Sequence, residues 1–226
     1  MKRYRAIFLD WDDTIGDWSH AEQCALQDLY AIYQLKSVYP TAADFIAAYK
    51  PYNMELWTQY GRGEISKEEL HFQRFHHVMG NPAQAREAGD IFLQLTNKYF
   101  SLMPYAEETV RYLAEKYPLT IISNGFKEVQ YYKFAHSGLQ DYFSYTLISE
   151  EIGINKPQPQ LFEKALLLNG VKANEALMIG DSYTSDIAGA KAAGIDSLWI
   201  KSDGLSEEGK EATYIVADLR GVMQIV

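Results

Sequence analysis

Within eight residues the stretch "LDWDDTIGD" carries Asp10, Asp12, Asp13 and Asp17, four carboxylates crowded directly behind an apolar run. Like charges that close repel, and a fold keeps them together through a bound cation or a hydrogen-bonded face open to solvent. Three further polar clusters follow apolar runs downstream: Ser123 and Asn124 in "LTIISNG", Lys156 in "GINKP", and Asp181 and Asp186 in "ALMIGDSYTSD". Carboxylates in that number make an oxygen-rich site suited to Mg2+, which takes carboxylates, water and substrate phosphate in preference to nitrogen or sulfur. A lysine and a hydroxyl beside them would hold phosphate oxygens. Phosphoryl transfer asks for a positioned nucleophile, neutralised charge and a proton donor for the leaving group. Asp10 is a candidate nucleophile, as carboxylates are in aspartyl-phosphate ATPases. Asp12, two residues on, can protonate the leaving oxygen and then activate water.

Groups this distant in sequence meet only if the elements before them share one edge. The runs 5–10, 119–124, 145–149, 176–181, 196–201 and 213–218 are short and rich in Ile, Val, Leu and aromatics, and several end at Asp, Ser or Gly, which predicts strands. Helical periodicity fills 106–117, 127–138, 159–170 and 185–194, three of which end at Gly138, Gly170 and Gly194 in the manner of left-handed C-caps. Strand–helix alternation predicts an α/β fold, a parallel sheet with helices on both faces. Ligands bind such sheets beyond the carboxyl ends of the strands. Every candidate group, with Thr14 added, follows a strand. Residues 18–100 differ: helical patterns cover 21–35, 41–50, 66–80 and 83–100, with no strand. That is far longer than an ordinary βα connection. The expected organisation is an α/β core formed by 1–17 and 101–226, interrupted by an all-helical insert, 18–100.

Taken in order, "DWDDT", "ISNG", "NKP" and "GDSYTSD" resemble the four motifs of the haloacid dehalogenase (HAD) superfamily, a resemblance that covers 1–17 and 101–226. It implies a Rossmann-like core with a helical cap inserted between motifs one and two. It also implies Asp10 as nucleophile, Asp12 as general acid and base, Ser123 and Asn124 on the phosphoryl group, and Lys156 balancing charge on nucleophile and phosphate. Mg2+ would be held by Asp10, the Asp12 backbone carbonyl and Asp181, with Asp186 supporting the metal waters or Lys156. The stretches 53–75 and 123–166 are similar to HAD pyrimidine 5′-nucleotidases, which implies a nucleoside monophosphate substrate; Asn53 and Trp57 in the insert and Phe126 beside the catalytic rim are the candidate contacts to it. The alternatives within the superfamily are a phosphatase for a sugar phosphate or another small phosphomonoester, a haloacid dehalogenase and a phosphosugar mutase. Asp12 speaks against the dehalogenase, because expelled halide needs no proton. A signalling receiver shares the parallel sheet, acidic cluster and lysine, but it is smaller, lacks the insert and carries its phosphorylated Asp later in the chain.

Composition narrows the partners. The 226 residues are 47% hydrophobic and carry 21 Lys plus Arg against 30 Asp plus Glu, a formal net charge of −9. An acidic chain without a basic block is a poor ligand for nucleic acid or anionic membrane, so the expected partner is a small phosphorylated molecule. The single cysteine, Cys24, cannot form an internal disulfide and fits a reducing cytosol. The apolar run at the start stops at Asp10, too short for a signal peptide or a membrane span, and a cytoplasmic protein is expected. Several residues have plainer readings. Asp13 and Asp17 suit a solvated turn, and Asp186 suits the N-cap of the following helix as well as a metal site. His71, His76 and His77 match no metal spacing. Tyr60, Arg74 and Phe75 could line a base pocket, but aromatics at helical spacing more often form core.

Overall fold

The computed structural model describes residues 4–201 and 211–226. The chain opens with β1 (Ala6–Leu9), all four residues of which are buried. The helical insert follows as α1 (Trp18–Ile32), α2 (Ala42–Gly61), α3 (Lys67–Met79) and α4 (Pro82–Lys98). The rest of the chain is α5 (Ala106–Ala114), β2 (Leu119–Ser123), α6 (Lys127–Ser137), β3 (Phe143–Ile148), α7 (Ser149–Ile152), α8 (Pro159–Asn169), β4 (Ala176–Gly180), α9 (Ala188–Ala192), β5 (Asp196–Ile200), β6 (Tyr214–Val216) and α10 (Leu219–Ile225). Two compact units result, residues 1–17 with 101–226, and residues 18–100.

In the first unit the six strands form one parallel sheet in the order β3-β2-β1-β4-β5-β6. Its central strands are Ile, Leu, Phe and Met on both faces, because helices cover both. Phe8, Ile122 and Met178 on one face pack against Leu161, Phe162 and Ala165 of α8. Burying a side chain of this size stabilises a fold by about 1.5–3 kcal/mol, so this layer anchors the strands whose ends carry the polar groups. The chain leaves β1 for β2 on one side and returns to β4 on the other, the switch that opens a crevice at the carboxyl ends.

The second unit buries its own core of Leu26, Leu29, Phe45, Tyr49, Phe75 and Phe92, with Tyr49 stacked on Phe75 at 5.3 Å between centroids. Capping boxes at Thr41 with Asp44 and Ser66 with Glu69 start α2 and α3. Helix α2 runs eleven residues past the segment 41–50 that periodicity marks, straight through Pro51. Proline costs a helix interior about 3 kcal/mol; here the burial of Asn53 and Leu56 beyond it keeps the helix going. Arg74 and Phe75 are core: Phe75 is fully buried and the Arg74 guanidinium lies 4.7 Å from the Phe92 ring centroid. The histidines are likewise packed against neighbours, His71 bonding Arg74 at 3.0 Å and His77 stacking on Tyr52 at 3.9 Å. Among the described residues no helix is long and apolar enough to cross a membrane.

Candidate active site

Strand register brings the polar groups together. Leu9 of β1 lies opposite Ile179 of β4 and Ile121 of β2, so Asp10, Asp181 and Ser123 emerge within a residue or two of one level. The Asp10 N–H still donates to the Ile179 carbonyl at 2.9 Å, which holds the first carboxylate at the sheet edge. Behind it the chain turns sharply: the N–H groups of Thr14, Ile15 and Gly16 all reach the Trp11 carbonyl, and Asp13 takes φ 58°. That left-handed backbone is tolerated by Asp better than by most residues, which gives Asp13 the turn role its position suggests. The turn delivers the Thr14 hydroxyl to Asp181, donating to Oδ1 at 3.2 Å while accepting the Asp181 N–H at 3.1 Å.

Asp10, Asp181 and Asp186 form a carboxylate triad with one oxygen from each within 4.8 Å of the others. The ammonium of Lys156 bridges two of them, 2.6 Å from Asp10 Oδ1 and 2.8 Å from Asp186 Oδ1. Asp186 is fully buried and also accepts the Ser182 N–H at 3.1 Å. It does not cap α9, whose N-cap residue is Ile187; Asp186 lies in the π-helical turn Tyr183–Ile187 before it, which Ser182 caps by accepting the N–H of Ser185, and its side chain folds back over Gly180, where a Cβ would overlap it.

Burial raises the Asp10 carboxyl well above the usual carboxylate range, with repulsion from Asp186 and Asp181 adding to it and Lys156 opposing it. Asp181 is raised to about 7 by burial, then by Asp186 and Asp13. Burial works against the Lys156 ammonium, but Asp10 and Asp186 outweigh it and the net shift is upward. One ammonium against three carboxylates leaves the cluster short by the charge of a divalent cation, and its all-oxygen donors are those Mg2+ prefers. The residues present therefore fit such an ion.

A consequence for stability follows with a definite sign. Folded Asp181 keeps its proton up to about pH 7, whereas an unfolded Asp releases it near 3.9. The folded state thus holds the extra proton, and stability falls as pH rises between those values. In EDTA the melting temperature is expected to drop from pH 5 to pH 8, and Asp181→Asn should flatten that slope. An equal slope in the variant would remove Asp181 as its source.

Lys156 is placed by Asn124. The Asn124 amide donates to the Lys156 carbonyl at 3.0 Å and accepts the Lys156 N–H at 2.9 Å. Both ends of the Asn124 side-chain amide are thus taken by the main chain of Lys156. Ser123 is buried with its hydroxyl oxygen accepting the Gly125 N–H at 3.2 Å, leaving the O–H to donate. Phe126, at the start of α6, is 4% exposed. Asn53 and Trp57 lie on α2 of the insert; Asn53 is buried with its Nδ2 3.5 Å from Glu22, and Trp57 is partly exposed.

Asp12 stands apart from the triad. Its carboxylate is taken by two residues that sequence reading passes over, Lys133 at 2.5 Å and Gln130 at 2.6 Å. A signal for them exists in the sequence: positions 126, 129, 130, 133 and 134 form one helical face at i, i+3, i+4, i+7 and i+8. A glutamine and a lysine occupy that face between Phe126, Val129 and Phe134, all five buried.

The profile of the haloacid dehalogenase-like hydrolases matches residues 4–194. The chain belongs to that family. HAD-hydrolase YfnB of Bacillus subtilis is 31% identical over 90% of this chain and 86% of its own length. Its crystal structure, bound to magnesium and described as revealing interdomain movement, superposes with a TM-score of 0.84 at 29% identity over 99% of both chains. Pyrimidine 5′-nucleotidase PynA of Streptococcus pneumoniae is 34% identical over 94% of this chain and 91% of that protein. Phosphoserine phosphatase of Thermus thermophilus is 33% identical over 96% and 78%. The chain is thus a HAD-superfamily phosphatase, a phosphomonoester hydrolase, with its family's parallel sheet.

Proposed function

We propose that this HAD phosphatase depends on Mg2+ and acts on nucleoside 5′-monophosphates, pyrimidine nucleotides foremost. The observation that carries the mechanism is the separation of carboxyl groups. Asp10 lies in a triad bridged by Lys156, while Asp12, two residues on, is bonded elsewhere. Asp10 attacks phosphorus and the ester P–O bond breaks, with the proton of Asp12 passing to the leaving oxygen. Asp12 then takes a proton from water as its oxygen attacks the phosphorus bound to Asp10, releasing phosphate and restoring both residues. Lys156 and Ser123 hold the phosphoryl oxygens, and Asn124 contributes by fixing Lys156. Mg2+, held by Asp10, Asp181 and the Asp12 carbonyl with Asp186 behind, would neutralise phosphoryl charge.

The insert would serve as a lid that excludes water, in keeping with the interdomain movement described for YfnB. Asn53 and Trp57 are the proposed base contacts. Asn53 is buried with its Oδ1 unpartnered among the described residues, an acceptor suited to a base N–H. The likeness to PynA supports the pyrimidine reading; the 33% identity to a phosphoserine phosphatase supports a second one, another small phosphomonoester. Phosphate release from a panel of nucleoside, sugar and amino-acid monophosphates, with Mg2+ and with EDTA, separates them. Metal-dependent release strongest on UMP and dTMP is expected. Strongest release from a sugar or amino-acid phosphate would keep the mechanism and overturn the substrate, and release untouched by EDTA would overturn the metal.

A further inference from the structure

Helix α6 grips Asp12 with unusual investment. Lys133 and Gln130 occupy both carboxylate oxygens, Oδ1 and Oδ2 respectively, and they are only 3% and 1% exposed, while the Asp12 side chain is 28% exposed. Burying an ammonium and an amide costs free energy unless their partners are good. A carboxylate with over a quarter of its surface open to water needs less of that support than a fully buried one. The arrangement also constrains its neighbours. The Gln130 amide passes over Gly125, where a Cβ would overlap Nε2, so the glycine of "ISNG" makes room for the reach to Asp12. Gln130 Oε1 has no partner among the described residues, so this glutamine leaves one buried acceptor unsatisfied to supply one donor. Trp11 packs edge-on against Phe134 at 4.5 Å, which ties α6 to the segment that carries Asp10 and Asp12.

We propose that Gln130 and Lys133 are positioning residues for Asp12. They keep its carboxyl out of the Asp10–Asp181–Asp186 triad, where a cation would draw in a fourth carboxylate, and aim it at the leaving oxygen. The ion pair with Lys133 matches the carboxylate that Asp12 becomes once its proton has gone to that oxygen. The inference rests on the reading of Asp12 as proton donor given above, and the test is built to tell the two apart.

Proton donation matters for a poor leaving group and little for a good one. The test therefore compares kcat/KM, which reports the first phosphoryl transfer, on UMP and on p-nitrophenyl phosphate. Lys133→Met is expected to lose about 10²-fold on UMP, the low end of a general acid's contribution, and less than about tenfold on the aryl ester. Gln130→Met should lose less, about tenfold on UMP, with the same selectivity, and it carries the test alone if Lys133→Met does not fold. Asp12→Asn is the reference. If Asp12→Asn is selective but losses in the α6 variants are equal on both esters, or absent, the inference is overturned and the acid role stands. If Asp12→Asn itself loses equally on both, the acid role fails and the inference falls with it.

Discussion

Asp10→Asn is expected to lower phosphate release by about four to six orders of magnitude, the scale seen when a covalent nucleophile is removed, without unfolding the protein. An amide at this position cannot form the acyl phosphate, and phosphate monoesters hydrolyse extremely slowly on their own. The fold should tolerate it because the native carboxylate is disfavoured where it sits, by burial and by Asp186 and Asp181. The amide oxygen can still accept from Lys156, which also keeps its 2.8 Å contact to Asp186. Turnover of UMP and a thermal melt on the same preparation check both halves. Near-normal turnover would remove Asp10 as nucleophile.

Lys156→Met is expected to abolish activity and to destabilise the protein by about 3–5 kcal/mol, the cost of leaving a buried charge without its partner. For a chain of this length that is a fall in melting temperature of roughly 10 °C. Asp10 and Asp186 would both lose their cation, 2.6 and 2.8 Å away in the native protein. The loss should be larger at pH 8 than at pH 5, because Asp10 already holds its proton well above the usual range and can escape the penalty at low pH by staying neutral. Adding Asp186→Asn should recover part of the stability and none of the activity, since the two sites are in contact and do not act additively. A single variant that melts within a degree or two of the native protein at pH 8 would show that Lys156 is not what holds the carboxylates.

Groups at strand ends were readable from sequence for a physical reason. A buried parallel strand is a continuous apolar run, and the polar residue that ends it marks the sheet edge; Asp10, Ser123 and Asp181 are all found that way. The helical character of 18–100 was readable from periodicity; the structure adds the side-chain caps of Thr41, Ser66 and Asn81 on the helices that follow. What lies across the fold was not readable. Gln130 and Lys133 look like ordinary polar helix residues until Asp12 is seen opposite them, 118 and 121 positions away. Asn124 sits beside Ser123 at the strand end, and nothing local in sequence shows that its amide meets Lys156 across 32 positions. The extension of α2 through Pro51 was hidden because local propensity opposes it and only burial further along decides it. Asp186 could be read as a cap or a site residue from its spacing, and only its contact with Lys156 separates the two.

The insert leaves and rejoins the first unit at one place. Gly16 is bridged to Leu102, Asp17 N–H donates to the Ser101 carbonyl at 2.9 Å, and Met103 N–H donates to Ile15 at 2.8 Å, so the chain goes out and comes back through one short ladder. A segment spliced in at such a doorway interrupts none of the sheet's strand pairs. An exchanged or rebuilt insert need only present two ends one hydrogen bond apart to be accepted, while the reacting groups stay where the sheet keeps them. On the proposed function, in which the insert contacts the base, reaction and selectivity would be heritable as separate parcels of sequence.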